Sequence, residues 1–276
     1  MSRSALKKSV GSALVSVTRS IPLVNRYMYT FSKVYIDAYR HFSYDPAVNG
    51  ESALIRKIAA HTGKAEDFVF FDIGANVGDW TRDVLSHIPG AHGHVFELCQ
   101  GTFRNLEKNL SGYDHLTLNN MAVSDKDGTI EYKYFGENFG SNTTVMGNTY
   151  FSSPHEILTA EVVTGASYCQ KNDIDHIHLL KIDTEGAEYY VLKGWEDMFA
   201  RKAVDIIQFE YGYTHADTGV VMRDFFKFFE DLGYIVGRLE PTGVRFKAFE
   251  YSDNDFKSGP NYVACLPAFK DWLGRF

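Results

Sequence analysis

Acidic and glycine residues follow several short apolar segments, where their types suit the binding of a small charged ligand. Asp72, Gly74 and Gly78 follow one apolar segment, and Glu97 follows the next. In an open α/β sheet, ligands bind beyond the carboxyl ends of the parallel strands. The two glycines permit a tight turn and a close approach of the backbone to a ligand. Glu97 is placed to accept hydrogen bonds from both hydroxyls of a ribose, so we predict a ligand that contains a nucleoside.

The glycine turn does not fit a dinucleotide site. A dinucleotide fingerprint requires glycines at positions 74, 76 and 79, whereas this chain has Gly74, Asn76 and Asp79. A pyrophosphate at this turn would also meet the carboxylates of Asp72 and Asp79 and no basic residue. S-adenosylmethionine carries a ribose, a sulfonium and an ammonium group, so it suits these acids better than a nicotinamide dinucleotide does.

A second group of charged residues follows the apolar segment 177–182. Lys181, Asp183, Glu185 and Glu188 lie within eight positions. Acids at the start of a helix are stabilised by the helix dipole, so capping is one interpretation and catalysis is the other. Lys181 either approaches a carboxylate of the ligand or pairs with Asp183 or Glu185, and the sequence does not distinguish these alternatives.

The elements that position these residues alternate between short strands and amphipathic helices. Continuous apolar segments such as Phe68–Phe71 are typical of buried parallel strands, and the intervening segments show helical spacing. This alternation predicts a doubly wound α/β sheet. Residues 133–165 are predicted to be irregular because Gly136, Asn138, Gly140, Ser141 and Asn142 lie there. Such a loop is either a functional lid or a merely exposed connection.

Composition excludes several classes of protein. The chain has 276 residues, is 45% hydrophobic and has a net charge of −7. The negative charge argues against a nucleic-acid partner. Three dispersed cysteines indicate a reducing compartment, so we expect a cytoplasmic protein. They lack the spacing of a zinc site, and His176 and His178 have no evident third ligand, so no metal is predicted.

The first 36 residues contain six basic residues and no acid. We consider a packed or disordered extension, a basic helix on an anionic membrane surface, and an organelle transit peptide. Leu14, Val17, Ile21 and Val24 follow the spacing of one helical face, although Pro22 would break or kink that helix. No apolar stretch here reaches the roughly 20 residues of a membrane span. Peripheral contact with the inner membrane surface is therefore expected as an alternative to a purely cytoplasmic location.

Several segments together resemble the FkbM-type methyltransferases, a branch of the class I S-adenosylmethionine-dependent enzymes. The matching segments are Asn49–Glu51, Phe71–Gly78, Val95–Glu97, Ala122–Asp125, Lys181–Glu188 and Leu192–Gly194. Leu98 departs from the family, which usually has proline after the acid. The resemblance covers roughly residues 49–240, and it implies a methyltransferase domain at 49–276 after a basic helical extension at 1–48.

The resemblance also implies a fold and a cofactor site. The expected fold is a Rossmann-like α/β fold with a seven-stranded, mostly parallel sheet, an antiparallel last strand and helices on both faces. The expected cofactor is S-adenosyl-L-methionine. Its methionine part would lie near Gly74, Asn76 and Gly78, its ribose at Glu97, and its adenine between Leu98 and the turn at Met121. The full set of implied cofactor residues is Asp72, Gly74, Ala75, Asn76, Gly78, Glu97, Leu98, Met121 and Ala122.

The implied activity is O-methylation of a sugar, a glycan or a glycosylated metabolite. Methyl transfer requires alignment of the acceptor and removal of its proton. Asp183 is the first candidate for the base, followed by Glu210 and His215. The alternatives are an N-methyltransferase or another small-molecule methyltransferase, a nicotinamide-dependent oxidoreductase, and a cofactor-binding protein without activity.

Overall fold

The computed structural model describes residues 3–39, 43–62, 67–137, 140, 142–147, 153–256 and 261–275. The chain divides into two compact units, residues 1–42 and 43–276. The predicted functional division into 1–48 and 49–276 stays a prediction. None of the described helices is both long enough and apolar enough to cross a bilayer.

The first unit consists of helix α1 (Arg3–Ser20) and helix α2 (Pro22–Tyr39). Pro22 is the first residue of α2, where the missing N–H costs no hydrogen bond. The predicted break at Pro22 is therefore present, and Ile21 separates the two helices. Consequently the row predicted to run from Leu14 to Val24 does not lie on one continuous helix.

The second unit contains the remaining elements. Its helices are α3 (Pro46–Asn49), α4 (Glu51–Thr62), α5 (Asp79–His87), α6 (Gln100–Leu110), α7 (Gly165–Lys171), α8 (Glu188–Lys193), α9 (Glu196–Ala200), α10 (Met222–Asp231) and α11 (Lys270–Leu273). Its strands are β1 (Val69–Ile73), β2 (His92–Phe96), β3 (Leu116–Asn119), β4 (Ala122–Val123), β5 (Gly128–Tyr134), β6 (Glu156–Val163), β7 (Ile177–Ile182), β8 (Val204–Glu210), β9 (Ile235–Glu240), β10 (Gly243–Phe246) and β11 (Asn261–Cys265).

The main sheet has the strand order β10-β9-β11-β8-β7-β1-β2-β3. Strands β3, β2, β1, β7 and β8 pair in parallel, and β11 is antiparallel to both β8 and β9. The predicted seven-stranded sheet is thus confirmed, and β10 adds an eighth strand by pairing antiparallel with β9. The direction of winding reverses between β1 and β7, and such a switch point leaves a crevice at the carboxyl ends of the strands.

Helices cover both faces of this sheet, each over its own apolar core. One core contains Phe71 and Leu180 of the sheet with Trp195 and Phe225 of the helical layer. The other core packs α4, α5 and α6 against side chains such as Phe70 on the opposite face. Burial on both faces explains why the central strands are continuously apolar rather than alternating.

A second, smaller sheet has the order β4-β6-β5. Strand β6 lies inside the segment 133–165 that was predicted to be irregular, so that prediction was wrong for Glu156–Val163. Only one residue of β6 is buried, so its apolar residues do not alternate between a buried face and an exposed face. The strand forms through its antiparallel ladder with β5. Asn138 and Ser141 of the same segment lie outside the described residues.

Candidate functional site

The turn after β1 joins the ends of β1 and β7. Gly74 has a φ of +83°, and a Cβ at this position would lie 1.8 Å from the carbonyl oxygen of Asp183. The Asp183 N–H donates to the Ile73 carbonyl at 2.9 Å. Because only glycine permits this contact, Gly74 brings the backbone of β1 against the residue that follows β7.

Gly78 packs against helix α6 at the start of α5. It precedes α5 with a φ of +88°, and a Cβ there would lie 2.8 Å from Leu106 Cδ1 of α6. Gly78 is absent from the described lining of both cavities at the strand ends. This glycine therefore permits the left-handed backbone and the close packing of α6, and its predicted contact with the methionine part of a cofactor stays a prediction.

Glu97 lies directly after β2 and is bound by backbone amides. Its Oε2 accepts from the Asn76 N–H at 3.0 Å, and its Oε1 accepts from the Cys99 N–H at 2.9 Å. Burial raises the pKa of Glu97 to about 7, although these two hydrogen bonds oppose the shift. Each carboxylate oxygen keeps a second lone pair, so Glu97 can still accept from a diol.

Most of the predicted cofactor residues line one cavity at the ends of β1 and β2. These are Gly74, Asn76, Glu97, Leu98, Met121 and Ala122. Ala75 lines an adjoining cavity instead. Asn142 and Thr144 also line the first cavity, and they were missed as individual site residues. Their only sequence signal was the unassigned segment 133–165, and they are held beside β5 by the antiparallel bridge between Thr143 and Lys133.

Asp72 lies beneath the cavity and supports other residues. It is fully buried, accepts from the Thr81 hydroxyl at 2.7 Å and lies 3.6 Å from Lys181 Nζ. Lys181 Nζ also lies 3.1 Å from Asp183 Oδ2. Burial alone would lower the pKa of Lys181, but Asp183 and Asp72 together raise it. Of the alternatives for Lys181, the structure therefore supports pairing with Asp183. Asp72, which was predicted as a cofactor residue, is absent from the described lining of both cavities.

Three carboxyl groups converge where the two cavities meet. One oxygen each from Asp183, Glu185 and Glu210 lies within 4.8 Å of the others. Asp183 and Glu185 line both cavities, and Glu210 lines the adjoining one. Burial, together with the neighbouring carboxylates, raises the pKa of Glu185 and of Glu210 well above the usual value. At neutral pH these two groups therefore hold protons more readily than ordinary glutamates.

Glu188 organises the loop that presents this cluster. Its Oε1 accepts from the Thr184 N–H at 2.7 Å, and its Oε2 accepts from the Gly186 N–H at 2.9 Å. Glu185, between them, has a φ of +55°. Of the two interpretations of the acids after β7, a structural one therefore describes Glu188, although its carboxylate binds amides of the loop before α8 and does not cap the helix itself.

His215 does not join the other two candidate bases. It is buried, and its Nε2 lies 2.9 Å from Glu188 Oε2. Its Nδ1 accepts from the Gly212 N–H at 3.2 Å. The Nδ1 atom is thus engaged in a hydrogen bond inside the protein, whereas Nε2 lies beside the Glu188 carboxylate without a hydrogen-bond partner among the described residues. His215 is absent from the described lining of both cavities. The structure makes it a support for Glu188, because the connection after β8 folds back over α8.

The strand order, the glycine turn and the acid after β2 are the features of a class I methyltransferase fold. Sequence comparison identifies the family. The sequence-family model described as the Methyltransferase FkbM domain matches residues 72–236 of this chain. The chain belongs to this methyltransferase family, which excludes the nicotinamide oxidoreductase considered from the sequence.

Solved structures of other methyltransferases resemble the chain more distantly. A precorrin-6y C5,15-methyltransferase from Geobacter metallireducens has a TM-score of 0.39 and 12% identity, covering 76% of this chain and 84% of that chain. The METTL16 methyltransferase domain has a TM-score of 0.45 and 8% identity, and the match covers 78% of this chain and 65% of that chain. An rRNA methylase from Streptococcus thermophilus has a TM-score of 0.41 and 8% identity, and the match covers 78% of this chain and 93% of that chain. No curated protein sequence matches the chain.

The cofactor of this class is S-adenosyl-L-methionine, and the residues of the first cavity fit it. Asn76 Oδ1 and Thr184 Oγ1 are buried oxygens without a hydrogen-bond partner among the described residues, and both residues line the cavity. Oxygens of this kind suit an ammonium group. Leu98, Met121 and Ala122 supply apolar surface for an adenine, and Glu97 supplies the acceptor for a ribose.

Proposed function

We propose that the chain transfers a methyl group from S-adenosyl-L-methionine to a hydroxyl of a sugar, a glycan or a glycosylated metabolite. The observation that supports this proposal is the position of Asp183 at the junction of the two cavities. A base at this junction contacts an acceptor in the adjoining cavity while the cofactor lies in the first one. The cofactor, when bound, supplies an electrophilic methyl group.

The acceptor hydroxyl must lose its proton as the new bond forms. Asp183 Oδ2 lies 3.1 Å from the Lys181 ammonium group, which holds the carboxyl group in place. Glu210 carries a raised pKa and hydrogen-bonds to Asp183. We assign the base to Asp183, with protonated Glu210 as the neighbour that donates to it. Gly74 and the loop bound by Glu188 hold Asp183 in place, so the base approaches the acceptor from a fixed direction.

The charge of the adjoining cavity favours a neutral acceptor over a phosphorylated one. Its described lining contains the acids Asp45, Glu51, Asp79, Asp83, Asp183, Glu185 and Glu210. Lys181 is the one lysine in that described lining, and no arginine is present there. Carboxylates accept hydrogen bonds from hydroxyl groups but repel phosphate. This argues for a polyhydroxylated substrate and against a nucleic acid.

N-methylation is the second candidate, because the same acids would also attract an amine. A protonated amine has no lone pair for the methyl group, so the site would first have to remove a proton. Asp183 could serve that step as well. The acceptor atom, oxygen or nitrogen, therefore distinguishes the two candidates.

The test combines purified protein, cofactor with an isotopically labelled methyl group, and a glycan extract of the cell envelope. We expect labelled methyl ethers on sugar fragments in mass spectrometry, and we expect the Asp183→Asn protein to produce few of them. Label found on an amine nitrogen would replace the proposed O-methylation by the second candidate. Label on neither class of product, with cofactor binding intact, would refute the substrate class.

A further inference from the structure

Helix α2 exposes a wide apolar face. Its apolar face comprises Leu23, Val24, Tyr27, Met28, Phe31, Val34, Tyr35, Ala38 and Tyr39, which recur at intervals of three and four residues. At 100° per residue these nine positions cover almost half of the helix circumference. Every one of them is exposed, and α2 has no buried residue. A contiguous exposed apolar surface of this kind marks an interaction site.

The opposite side of α2 is mainly polar. It carries Asn25, Arg26, Thr30, Ser32, Lys33 and Asp37, with Tyr29 and Ile36 among them. Across residues 3–39, Arg3, Lys7, Lys8, Arg19, Arg26 and Lys33 are basic, and Asp37 is the sole acid. Residues 3–39 therefore carry a net positive charge, while the chain as a whole is negative.

Aromatic residues dominate the apolar face. The rings of Phe31 and Tyr35 stack at 6.4 Å, and those of Tyr35 and Tyr39 stack at 6.5 Å. Tyrosines with an apolar body and a polar hydroxyl are typical of the boundary between lipid and water. The helix is not apolar enough to cross a bilayer. Its length, basic charge and apolar face are the properties of a helix that lies in the plane of a membrane surface.

We infer that α2 binds an anionic lipid surface with its apolar face inserted at the headgroup boundary, while the net positive charge of residues 3–39 attracts the segment to that surface. This inference is independent of the identity of the methyl acceptor. It assigns the lipid contact to α2, and it replaces the row from Leu14 to Val24 predicted from sequence, because that row is interrupted at Ile21. A second copy of the chain is the competing occupant.

The experiment uses the full-length protein and vesicle flotation. Vesicles of phosphatidylcholine with phosphatidylglycerol are compared with vesicles of phosphatidylcholine alone, at low and at high salt. One variant carries Leu23→Ser, Phe31→Ser and Val34→Ser, which removes apolar surface without changing the charge. The control variant carries Asn25→Ser and Thr30→Ser on the polar side. Calorimetric binding of S-adenosylhomocysteine confirms that the domain is folded in each protein.

We expect the natural chain and the control to float with the anionic vesicles at low salt and to partition less as salt rises. The apolar-face variant should lose at least about tenfold in partitioning while keeping its affinity for S-adenosylhomocysteine. Equal flotation of the two variants would overturn the inference. So would light scattering that shows a dimer of the natural chain, lost in the apolar-face variant, without vesicle binding.

Discussion

Glu97 makes cofactor binding dependent on pH. Ribose hydroxyls donate hydrogen bonds to the carboxylate form, and burial raises the pKa of Glu97 to about 7. The deprotonated form binds the cofactor, so affinity is highest above pH 7 and falls as the pH decreases through that value. If only the carboxylate binds, its population falls about tenfold between pH 8 and pH 6, and the affinity follows.

The substitution Glu97→Gln isolates this effect. At pH 8 it removes hydrogen bonds to a charged group, each worth about 1.5–3 kcal/mol, so the dissociation constant should rise about 10- to 150-fold. At pH 6 the natural protein has lost most of its carboxylate, and the ratio of the two dissociation constants should be about tenfold smaller. Isothermal titration calorimetry with S-adenosyl-L-methionine measures this ratio, and the ligand's own amino group titrates alike with both proteins.

Glu107→Gln supplies the matched control, because Glu107 is exposed on α6. It should bind the cofactor like the natural protein at every pH. A ratio for Glu97→Gln that stays constant between pH 6 and pH 8 would refute the assignment of a pKa near 7 to Glu97. Unchanged affinity at pH 8 would show that Glu97 does not bind the ribose.

Three further substitutions test the remaining assignments. Asp183→Asn should cut turnover by about a hundredfold or more while leaving cofactor affinity unchanged; near-normal turnover in the labelled-methyl assay would remove Asp183 as the base. Gly74→Ala should lower the free energy of unfolding by about 2–5 kcal/mol through backbone strain and overlap, with Gly112→Ala, which meets no atom within 4 Å, expected to be far milder in urea titrations. His215→Ala should destabilise the protein by about 1–3 kcal/mol by leaving the buried Glu188 carboxylate without its histidine partner. An unfolding temperature equal to that of the natural protein would contradict that role.

Residues whose position depends on the local sequence were placed correctly. Gly74 and Glu97 follow apolar strands directly, and parallel strands always present their carboxyl ends at the same edge of the sheet. The order of strands and helices followed for the same reason, because burial of both faces leaves a continuous apolar signal along each central strand. Family membership rested on these same short motifs in a fixed order.

Residues whose function depends on distant partners were not predicted. Gly78 is close to Gly74 in sequence, yet what excludes a side chain there is Leu106 of α6, which a Cβ would overlap. His215 was predicted as a candidate base, but the structure buries it against Glu188. Strand β6 was missed in the segment 133–165, and it forms by pairing with β5.

The sequence by itself determined the class of fold and the positions of Gly74 and Glu97 after their strands, since each depends on periodicity or on residues adjacent to a strand end. Only the tertiary structure decided that Lys181 pairs with Asp183, that Glu210 joins them, and that the apolar face of α2 is left exposed. Those outcomes depend on distances between strands β1, β7 and β8 and on what packs against a helix. The spacing of residues along the chain does not encode these distances or contacts, because the fold brings together residues that are far apart in sequence.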